Sequence, residues 1–348
     1  TATGKTRFGL QMAKKFKGEI VSADSRQVYV GMDIVTGKDI PYNLKPITSN
    51  LQWRDRKLKY YLIDSAKIWL YDVVNPNEPF NVAFWKECAD LVIADIFRRN
   101  RLPIVVGGTG LYLKSLTVGQ MSQSLSKISI LPNPQLRSKL KDRNVAYLFN
   151  YLNRIDPARA AVLNISDRAN PRRLIRAIEI SLYSKFPSPE SGEGSRGEVG
   201  SGVSYLTLGL TAPREELYRR IDLRVGHRLR HGAEAENQHL IAKYGGGFPS
   251  FTASGYRAFQ KPDIVARWRG LEHAYLRRQL TWFKRQPDTH YASKNRNFSP
   301  HNCFHRHFHI PDLVYRPDQR YPSHALYFHN SHVRPQSGCG SLGALGSA

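Results

Sequence analysis

The sequence predicts an α/β fold in which a parallel sheet core is interrupted by an inserted helical domain. Three observations support this prediction. Residues 1–6 have the pattern of a phosphate-binding loop, short apolar strands then alternate with helices as far as residue 119, and helical patterns replace the strands until about residue 186. Alternation of strands and helices is typical of a doubly wound parallel sheet.

The chain opens with the residues Thr1-Ala2-Thr3-Gly4-Lys5-Thr6. They match the end of the P-loop pattern G-x-x-x-x-G-K-[ST], whose backbone N–H groups surround phosphate oxygens. In such a loop Lys5 binds the outer phosphates and the Thr6 hydroxyl holds Mg²⁺. The first glycine and the strand before it would precede residue 1, so we expect a P-loop NTPase-like fragment whose N-terminal strand is missing. A Gly-Lys-Thr triplet in an ordinary surface loop is the alternative.

The elements that follow place two further segments beside this loop. The predicted elements are a helix with apolar residues at 8, 12 and 16, strands at 19–24, 59–64 and 102–106, and a helix at 81–99. Residues 37–58 have few apolar positions and are interpreted as a loop. Ligands of parallel sheets bind beyond the carboxyl ends of the strands. Asp24 and the glycine turn Gly107–Gly110 should therefore lie near Lys5.

The charge balance indicates a polyanionic partner. Lys and Arg number 52 against 28 Asp and Glu, a formal net charge of +24. Such an excess is expected of a protein that binds nucleic acid, an anionic membrane or a phosphorylated ligand. No apolar run approaches the roughly 20 residues of a membrane span, so we expect no membrane partner. The three cysteines include no C-x-x-C pair, which excludes a disulfide scaffold, and a reducing cytoplasm is the simplest location.

The helical insertion carries a cluster of arginines. Pro171 can start a helix, and Arg172, Arg173 and Arg176 crowd its first turns, where the helix dipole disfavours cations. A solvated basic face is one interpretation, and a contact with a phosphate backbone is the one we favour.

These patterns divide the sequence into four parts. The catalytic core is predicted at 1–119 and 204–292, the helical insertion at 120–186, and a flexible Gly/Ser linker at 187–203. Residues 293–348 lack a sustained period, and we expect them to be disordered or read from a shifted frame.

The residues around the loop suit transfer of a group away from a pyrophosphate. The strand at 102–106 ends in glycines and lacks the Asp that usually steadies Mg²⁺ in NTP hydrolysis. Asp24 would accept a proton from the attacking nucleophile, while Lys5, Arg224 and Mg²⁺ would stabilise the departing pyrophosphate. Two alternatives stay open: a small-molecule enzyme such as a nucleotide kinase or adenylate prenyltransferase, and a non-catalytic RNA-binding protein.

Several blocks of the sequence resemble the bacterial tRNA dimethylallyltransferases of the IPP transferase family. The blocks are Ala2–Thr6, Ser22–Tyr29, Gly31–Ile34, Gly107–Tyr112, Asn170–Arg176, Glu216–Arg224, Gly255-Tyr256 and Arg278–Trp282, in the family's order. The family transfers a dimethylallyl group from its diphosphate to N6 of the adenosine just 3′ of the anticodon, in tRNAs that read codons beginning with U. The resemblance implies a P-loop core and a helical insertion that grips the anticodon arm.

The resemblance also implies roles for individual residues. Asp24 would be the general base on N6, Arg224 would assist the leaving group, and Thr6 would act through Mg²⁺. Diphosphate binding would involve Thr1, Ala2, Thr3, Gly4, Lys5 and Thr6. The implied tRNA contacts are Asp24, Ser25, Arg26, Gln27, Thr109, Arg137, Arg172, Arg173 and Arg176.

The implied cofactor is Mg²⁺, the implied partners are the anticodon stem-loop of tRNA and dimethylallyl diphosphate, and the implied state is a cytoplasmic monomer. Two positions depart from the family pattern. Asn170 stands where the family commonly has Asp, and His290–Ser293 lacks the tryptophan of the expected final strand.

Overall fold

We analysed a computed structural model that describes residues 2–41, 43–117, 132–185 and 204–285, together with the backbone of two strands at 289–293 and 324–330. The chain forms two compact units. The first comprises Thr1–Lys114 and Gly202–Ala348, and the second comprises Ser115–Ser201.

The described elements alternate between strands and helices in the first unit and are helical in the second. In chain order they are α1 (Lys5–Lys15), β1 (Gly18–Ala23), β2 (Ile47–Trp53), β3 (Arg56–Ile63), β4 (Ala66–Trp69), α2 (Val82–Arg98), β5 (Leu102–Gly107), α3 (Gly110–Thr117), α4 (Pro134–Leu140), α5 (Val145–Ile155), α6 (Pro157–Ala161), α7 (Ile165–Arg168), α8 (Pro171–Lys185), β6 (Ser204–Thr211), α9 (Arg214–Arg230), α10 (Ala233–Tyr244), a 3₁₀ turn (Pro249–Thr252), α11 (Ser254–Ala258), α12 (Ile264–Phe283), β7 (Thr289–Ser293) and β8 (His324–Asn330).

The strands form one mixed sheet in the order β2-β3-β4-β1-β5-β8-β6-β7. Six neighbouring strands run parallel to one another: β4, β1, β5, β8, β6 and β7. The strands β2 and β3 add an antiparallel edge beside β4. The predicted α/β class with a parallel core is therefore confirmed. In the centre Ala23 pairs with Gly107, so β1 and β5 end at the same level of the sheet. This register places the residues that follow the two strands side by side.

The antiparallel edge is an element that the sequence did not predict. We expected a loop at 37–58, whereas β2 and the start of β3 occupy much of it. Most side chains of β2 are exposed or half-buried. Trp53 is the one buried residue of β2, and the polar Ser49 interrupts the side that it shares with Leu51, so the alternation that reveals strands is weak.

The end of the chain also differs from expectation. β7 pairs with β6, so the departure at His290–Ser293 concerns residue identity and not the presence of a strand. Residues 293–348 were expected to be disordered or read from a shifted frame; within them, β8 pairs in parallel with both β5 and β6. Its central Leu326-Tyr327-Phe328 run consists of residues that favour strands. The linker at 187–203 and the rest of the tail lie outside the described residues.

Each unit has its own apolar core. In the first, Phe8 and Met12 of α1 pack with β-strand residues such as Ile20 and Ile104, as the spacing of the helix predicts. In the second, helices α5 and α8 contribute Leu148, Leu152, Leu174 and Ile178. Within the described ranges, none of the helices combines the length and apolar character that crossing a bilayer requires.

Candidate active site

A cleft of about 440 Å³ opens at the carboxyl ends of β1 and β5. Its wall includes Ala2, Gly4, Lys5 and Thr6 from the loop before α1. Thr3 of the same loop is almost completely buried, and Thr1 lies outside the described residues. Four of the six residues predicted to bind diphosphate therefore face one cavity.

The loop presents the start of α1 to this cleft. Gly4 is the residue before the helix and has φ 78°, a left-handed conformation that glycine adopts without strain. It provides no side-chain cap for the first turn of α1. The first N–H groups of a helix need an acceptor, and with the helix dipole they favour an anion. An anion in the cleft would meet this requirement.

Asp24 follows β1 directly and lies in the same cleft as Lys5. Its Oδ1 accepts a hydrogen bond from the backbone N–H of Arg26 at 2.9 Å. The turn after β5 holds this segment from the other side, because the Ser25 N–H donates to Thr109 Oγ1 at 3.0 Å and the Thr109 N–H donates to the Ala23 carbonyl at 3.3 Å. The predicted approach of the two strand ends is thus observed in atomic contacts.

Close packing at this point requires glycine in the turn after β5. A Cβ on Gly107 would lie 2.1 Å from the Ala23 carbonyl oxygen, and one on Gly108 would lie 2.2 Å from Gln279 Nε2. Gln279 Nε2 donates to the Gly108 carbonyl at 2.7 Å. Helix α12 is thereby bound to the floor of the cleft.

The charges of Asp24 and Arg224, two of the predicted catalytic residues, both affect the ionisation of Lys5. Its pKa is lowered from the ordinary 10.5 to about 8, chiefly by burial and then by the positive charge of Arg224, while the carboxylate of Asp24 acts in the opposite direction. When a further anion enters the cleft, it raises the pKa of Lys5 and thereby favours the protonated ammonium form. Lys5, Asp24 and Arg224 therefore form one electrostatic unit.

Arg224 projects from α9 and is held by a residue that the sequence did not single out. Its Nη2 lies 3.3 Å from Glu272 Oε2 on α12, and Ser254 also donates to the Glu272 carboxylate. Burial opposes ionisation of Glu272, but Arg224, Arg228 and the Ser254 hydroxyl outweigh it and hold the pKa of Glu272 below its ordinary value. Arg220, which lies one helical turn before Arg224, pairs with Glu216 at 2.7 Å.

The buried face of α9 contains one charged residue in place of an expected apolar one. In the sequence, apolar residues recur at the four-residue spacing of a helix face: Leu217, Ile221, Val225 and Leu229. In the structure Leu229 is half-buried, whereas Arg228 is only 6% exposed and lines the cleft. Residues three or four positions apart both lie on one face of a helix. The sequence alone therefore could not decide whether Arg228 or Leu229 follows Val225 on the buried face of α9.

Hydrogen bonds of Gln27 and Arg26 fix the loops around the cleft. Ser22 donates to Gln27 Oε1 at 3.1 Å, and Gln27 Nε2 donates to the Gly37 carbonyl at 2.8 Å. Arg26 donates to the Pro249 carbonyl at 2.7 Å and to Thr252 Oγ1 at 2.9 Å. Both residues line the cleft, and these contacts also give them a structural role.

The loop at 31–38 is fixed by Glu236, another residue that was not predicted. Its carboxylate accepts hydrogen bonds from the N–H groups of Asp33, Ile34 and Val35 at 3.0, 2.6 and 3.1 Å, and from the Tyr256 hydroxyl at 2.7 Å. The two family-like blocks at 31–34 and 255–256 thus meet at one carboxylate. Both blocks could be recognised in the sequence, but only the folded structure shows that they contact the same carboxylate.

The predicted Mg²⁺ ligand Thr6 lies on the cleft wall. Among the described residues no group of three or more His, Cys, Asp or Glu side chains could hold a metal ion. Mg²⁺ is commonly held by one or two protein oxygens together with substrate phosphates and water. A single hydroxyl beside a phosphate loop fits that kind of site, in which the substrate supplies most of the ligands.

The predicted tRNA contacts in the second unit are partly engaged with carboxylates. Arg137 pairs with buried Glu179 at 2.6 Å, and Arg176 approaches the same carboxylate at 3.1 Å. Arg173 pairs with Asp167. The remaining predicted contact, Arg172, is exposed and has no ion-pair partner within the part of the chain that the structure describes.

Comparison with known proteins identifies the family of the chain. The family model for IPP transferase matches residues 27–286. The chain is 35% identical over 301 residues to the tRNA dimethylallyltransferase of Roseiflexus sp. strain RS-1, with 83% of this chain and 88% of the relative covered. It is 33% identical over 310 residues to the tRNA dimethylallyltransferase of Acetivibrio thermocellus, with coverage of 85% and 90%.

Solved structures give the same relationship. The tRNA isopentenylpyrophosphate transferase of Bacillus halodurans has a TM-score of 0.53 at 29% identity, covering 84% of this chain and 87% of that one. The corresponding transferase of Staphylococcus epidermidis has a TM-score of 0.52 at 30% identity, covering 86% and 92%. A eukaryotic dimethylallyltransferase, 24% identical with a TM-score of 0.62, shares the fold over 84% of this chain and 71% of its own. The chain belongs to the IPP transferase family.

Proposed function

We propose that the protein transfers a dimethylallyl group from dimethylallyl diphosphate to N6 of the adenosine 3′-adjacent to the anticodon, in tRNAs that read codons beginning with U, and releases pyrophosphate. The observation that carries the proposal is the convergence of Asp24, Lys5 and Arg224 on one cleft. A proton acceptor beside cationic phosphate ligands is what alkylation of an amine by a diphosphate ester requires.

The acceptor amine needs help because its lone pair is delocalised into the adenine ring. In the proposed step N6 attacks C1 of the dimethylallyl group, the N–C bond forms, and the C–O bond to the diphosphate breaks. Asp24 takes one proton from N6 as the new bond develops. Its anchored position, with Oδ1 bound by the Arg26 N–H, leaves the second carboxylate oxygen for this role.

The leaving group carries away the negative charge. Lys5, Arg224 and the uncapped first turn of α1 surround the cleft, and cations placed where charge develops stabilise the transition state. When bound beside Thr6, Mg²⁺ would supply further charge to the departing pyrophosphate. The lowered pKa of Lys5 means that its ammonium is best stabilised when the diphosphate is present.

The acceptor base has to leave its stack to enter the cleft. In a loop this costs a few kcal/mol at most, less than in a duplex. The volume of about 440 Å³ lies within the range of sites that enclose small ligands. The net charge of +24 favours the polyanionic tRNA over a free nucleotide, and we expect a monomer that works where tRNA is found, in the cytoplasm.

A direct assay tests this function. The purified protein is incubated with radiolabelled dimethylallyl diphosphate, Mg²⁺ and unmodified tRNA that reads a U-starting codon. We expect label in the tRNA, none in AMP, and none in a matched transcript in which the adenosine next to the anticodon is replaced by guanosine. Label in AMP at the rate seen with tRNA would instead make the protein an adenylate prenyltransferase.

A further inference from the structure

Arg228 is a buried cation whose role is not explained by the residues around it. It lies on the inward face of α9 with Val225 and Ile221 and is 6% exposed. A guanidinium removed from water destabilises the folded state unless charged or polar partners compensate. A group that compensates the buried charge of Arg228 therefore has to be identified.

The described protein groups satisfy only part of its hydrogen-bonding capacity. Nη1 donates to the Val35 carbonyl at 3.2 Å, whereas Nε has no hydrogen-bond partner among the described residues. Three carboxylates act on Arg228; Asp39 is exposed, and the other two are engaged elsewhere. Glu272 pairs with Arg224 at 3.3 Å, and Glu236 accepts from three backbone N–H groups and the Tyr256 hydroxyl.

The space for this guanidinium depends on a glycine. Gly37 has φ 68°, and a Cβ built on it would lie 1.5 Å from Arg228 Nη2. Any other residue at this position would displace the arginine. Gly37 and Arg228 both line the cleft that contains Lys5 and Arg224. The guanidinium is therefore packed against bare backbone at the wall of the proposed reaction site.

Arg224 lies one helical turn before Arg228, and the positive charges of the two affect each other. Burial, and then Arg224, lower the pKa of Arg228 to about 10, with Glu272 and Asp39 acting in the opposite direction. Two cations held this close are stabilised by an anion that both can bind. A guanidinium is well suited to phosphate, since its planar N–H groups match two phosphate oxygens.

We infer that Arg228 is a second arginine for the diphosphate, binding the leaving group together with Arg224 and opposite Lys5. This inference rests on the proposed function, because it assigns a further ligand to the same donor substrate. It gives Gly37 a specific task, which is to leave room for the guanidinium.

Binding of inorganic pyrophosphate without tRNA is the primary test, measured by isothermal titration calorimetry. Arg228→Met keeps the length and apolar stem of the side chain and should weaken pyrophosphate binding roughly 10- to 100-fold. The pyrophosphate affinity of Arg228→Lys should lie between those of the wild type and Arg228→Met. The control Arg230→Met removes an exposed arginine from the same helix and should leave the affinity unchanged.

Thermal stability separates ligand binding from a merely structural role. Since Met avoids burying a charge, Arg228→Met should melt at the same temperature as the wild type or higher. Wild-type pyrophosphate affinity in Arg228→Met would overturn the inference. So would a lower melting temperature accompanied by equal losses of pyrophosphate and tRNA affinity, because that pattern describes a residue that only supports the fold.

Gly37→Ala provides an independent variant. Its Cβ should displace the guanidinium, so pyrophosphate binding should weaken as in Arg228→Met, and the two changes combined should cost little more than one. An undiminished effect of Gly37→Ala in the Arg228→Met background would refute the role assigned to Gly37.

The two proposals about this cleft can fail separately. If wild-type protein binds pyrophosphate through Arg228 but transfers no label to tRNA, the proposed function fails and the role of Arg228 stands. If the wild type transfers label normally and Arg228→Met binds pyrophosphate as tightly as the wild type, the proposed function stands and the role of Arg228 fails.

Discussion

Replacing Asp24 by asparagine tests the proposed general base with little disturbance of the fold. The asparagine side chain has the same shape, and its carbonyl oxygen can still accept the Arg26 N–H bond of 2.9 Å that anchors the turn. What is lost is the capacity to take a proton from N6. Since general base catalysis contributes about 10²- to 10⁴-fold, kcat should fall by that factor, equivalent to about 3–5 kcal/mol of barrier.

The structure predicts a second, smaller effect through Lys5. With a pKa of about 8, Lys5 is about nine-tenths protonated at pH 7. Because the Asp24 carboxylate supports that charge, its neutralisation lowers the pKa of Lys5 further and raises the KM for dimethylallyl diphosphate. This effect should increase towards pH 8, whereas the loss of kcat should persist at pH 6.5.

The assay is a single-turnover measurement with both substrates saturating, repeated at pH 6.5 and 8. Saturation removes the contribution of Lys5 and isolates the chemical step. Asp39→Asn is the matched control, since Asp39 also contributes a carboxylate to the cleft wall and is expected to change the rate less than about threefold. An Asp24→Asn enzyme whose rate stays within threefold of wild type, or whose tRNA affinity falls as much as its rate, refutes the assignment.

The remaining predictions concern the leaving group, the P-loop lysine, the tRNA contact and the loop at 31–38. Arg224→Ala should reduce the single-turnover rate roughly 10²- to 10³-fold with the Kd for tRNA within threefold, and an equal loss of tRNA affinity would contradict its role with the diphosphate. Lys5 has a pKa of about 8 in the folded chain against 10.5 ordinarily, so its cation destabilises the fold below pH 8, and this cost fades as the pH rises towards 10.5. Lys5→Met should therefore raise the Tm at pH 7 by about 2–4 °C, with a shrinking gain above pH 8, while pyrophosphate binding in calorimetry disappears. Arg172→Ala should weaken tRNA binding roughly 3- to 10-fold and reduce the slope of log affinity against log salt by about 1, and an unchanged slope would exclude a phosphate contact. Glu236→Ala removes the acceptor of four hydrogen bonds and should lower the urea-derived free energy of unfolding by about 2–4 kcal/mol, whereas the exposed control Glu234→Ala should stay within about 0.5 kcal/mol.

The proximity of Asp24 to Lys5 was predictable because it follows from parallel sheet geometry alone. Once a strand was recognised at 19–24 after a phosphate loop, the rule that parallel strands share one carboxyl edge fixed where the carboxylate would lie. The same rule brought the glycine turn Gly107–Gly110 to Asp24, and the hydrogen bond between Ser25 and Thr109 is its consequence. Periodicity and topology suffice where the site is made of strand ends.

Helix residues of the site were harder to predict, because the register of a helix face depends on what packs against it. Glu272 has no distinguishing neighbours in the sequence, and its function appears only when α12 is packed beside Arg224. Arg228 was overlooked because Leu229 fits the apolar stripe equally well. The edge strand β2 gave little signal, because only Trp53 is buried in it and the polar Ser49 interrupts the side of that tryptophan.

The electrostatic balance of the cleft connects these observations. Seven cationic side chains line it against three carboxylates, and one of the three, Glu272, is already paired with Arg224. Burial first, and the positive charge of Arg224 second, lower the pKa of both Lys5 and Arg228, so these cations reduce the stability of the fold. Such an excess persists in a folded protein when a polyanion offsets it during function. In the proposed reaction a diphosphate at the base of the cleft and a nucleotide backbone at its rim would together supply that charge, and neither alone would account for both the buried and the exposed arginines.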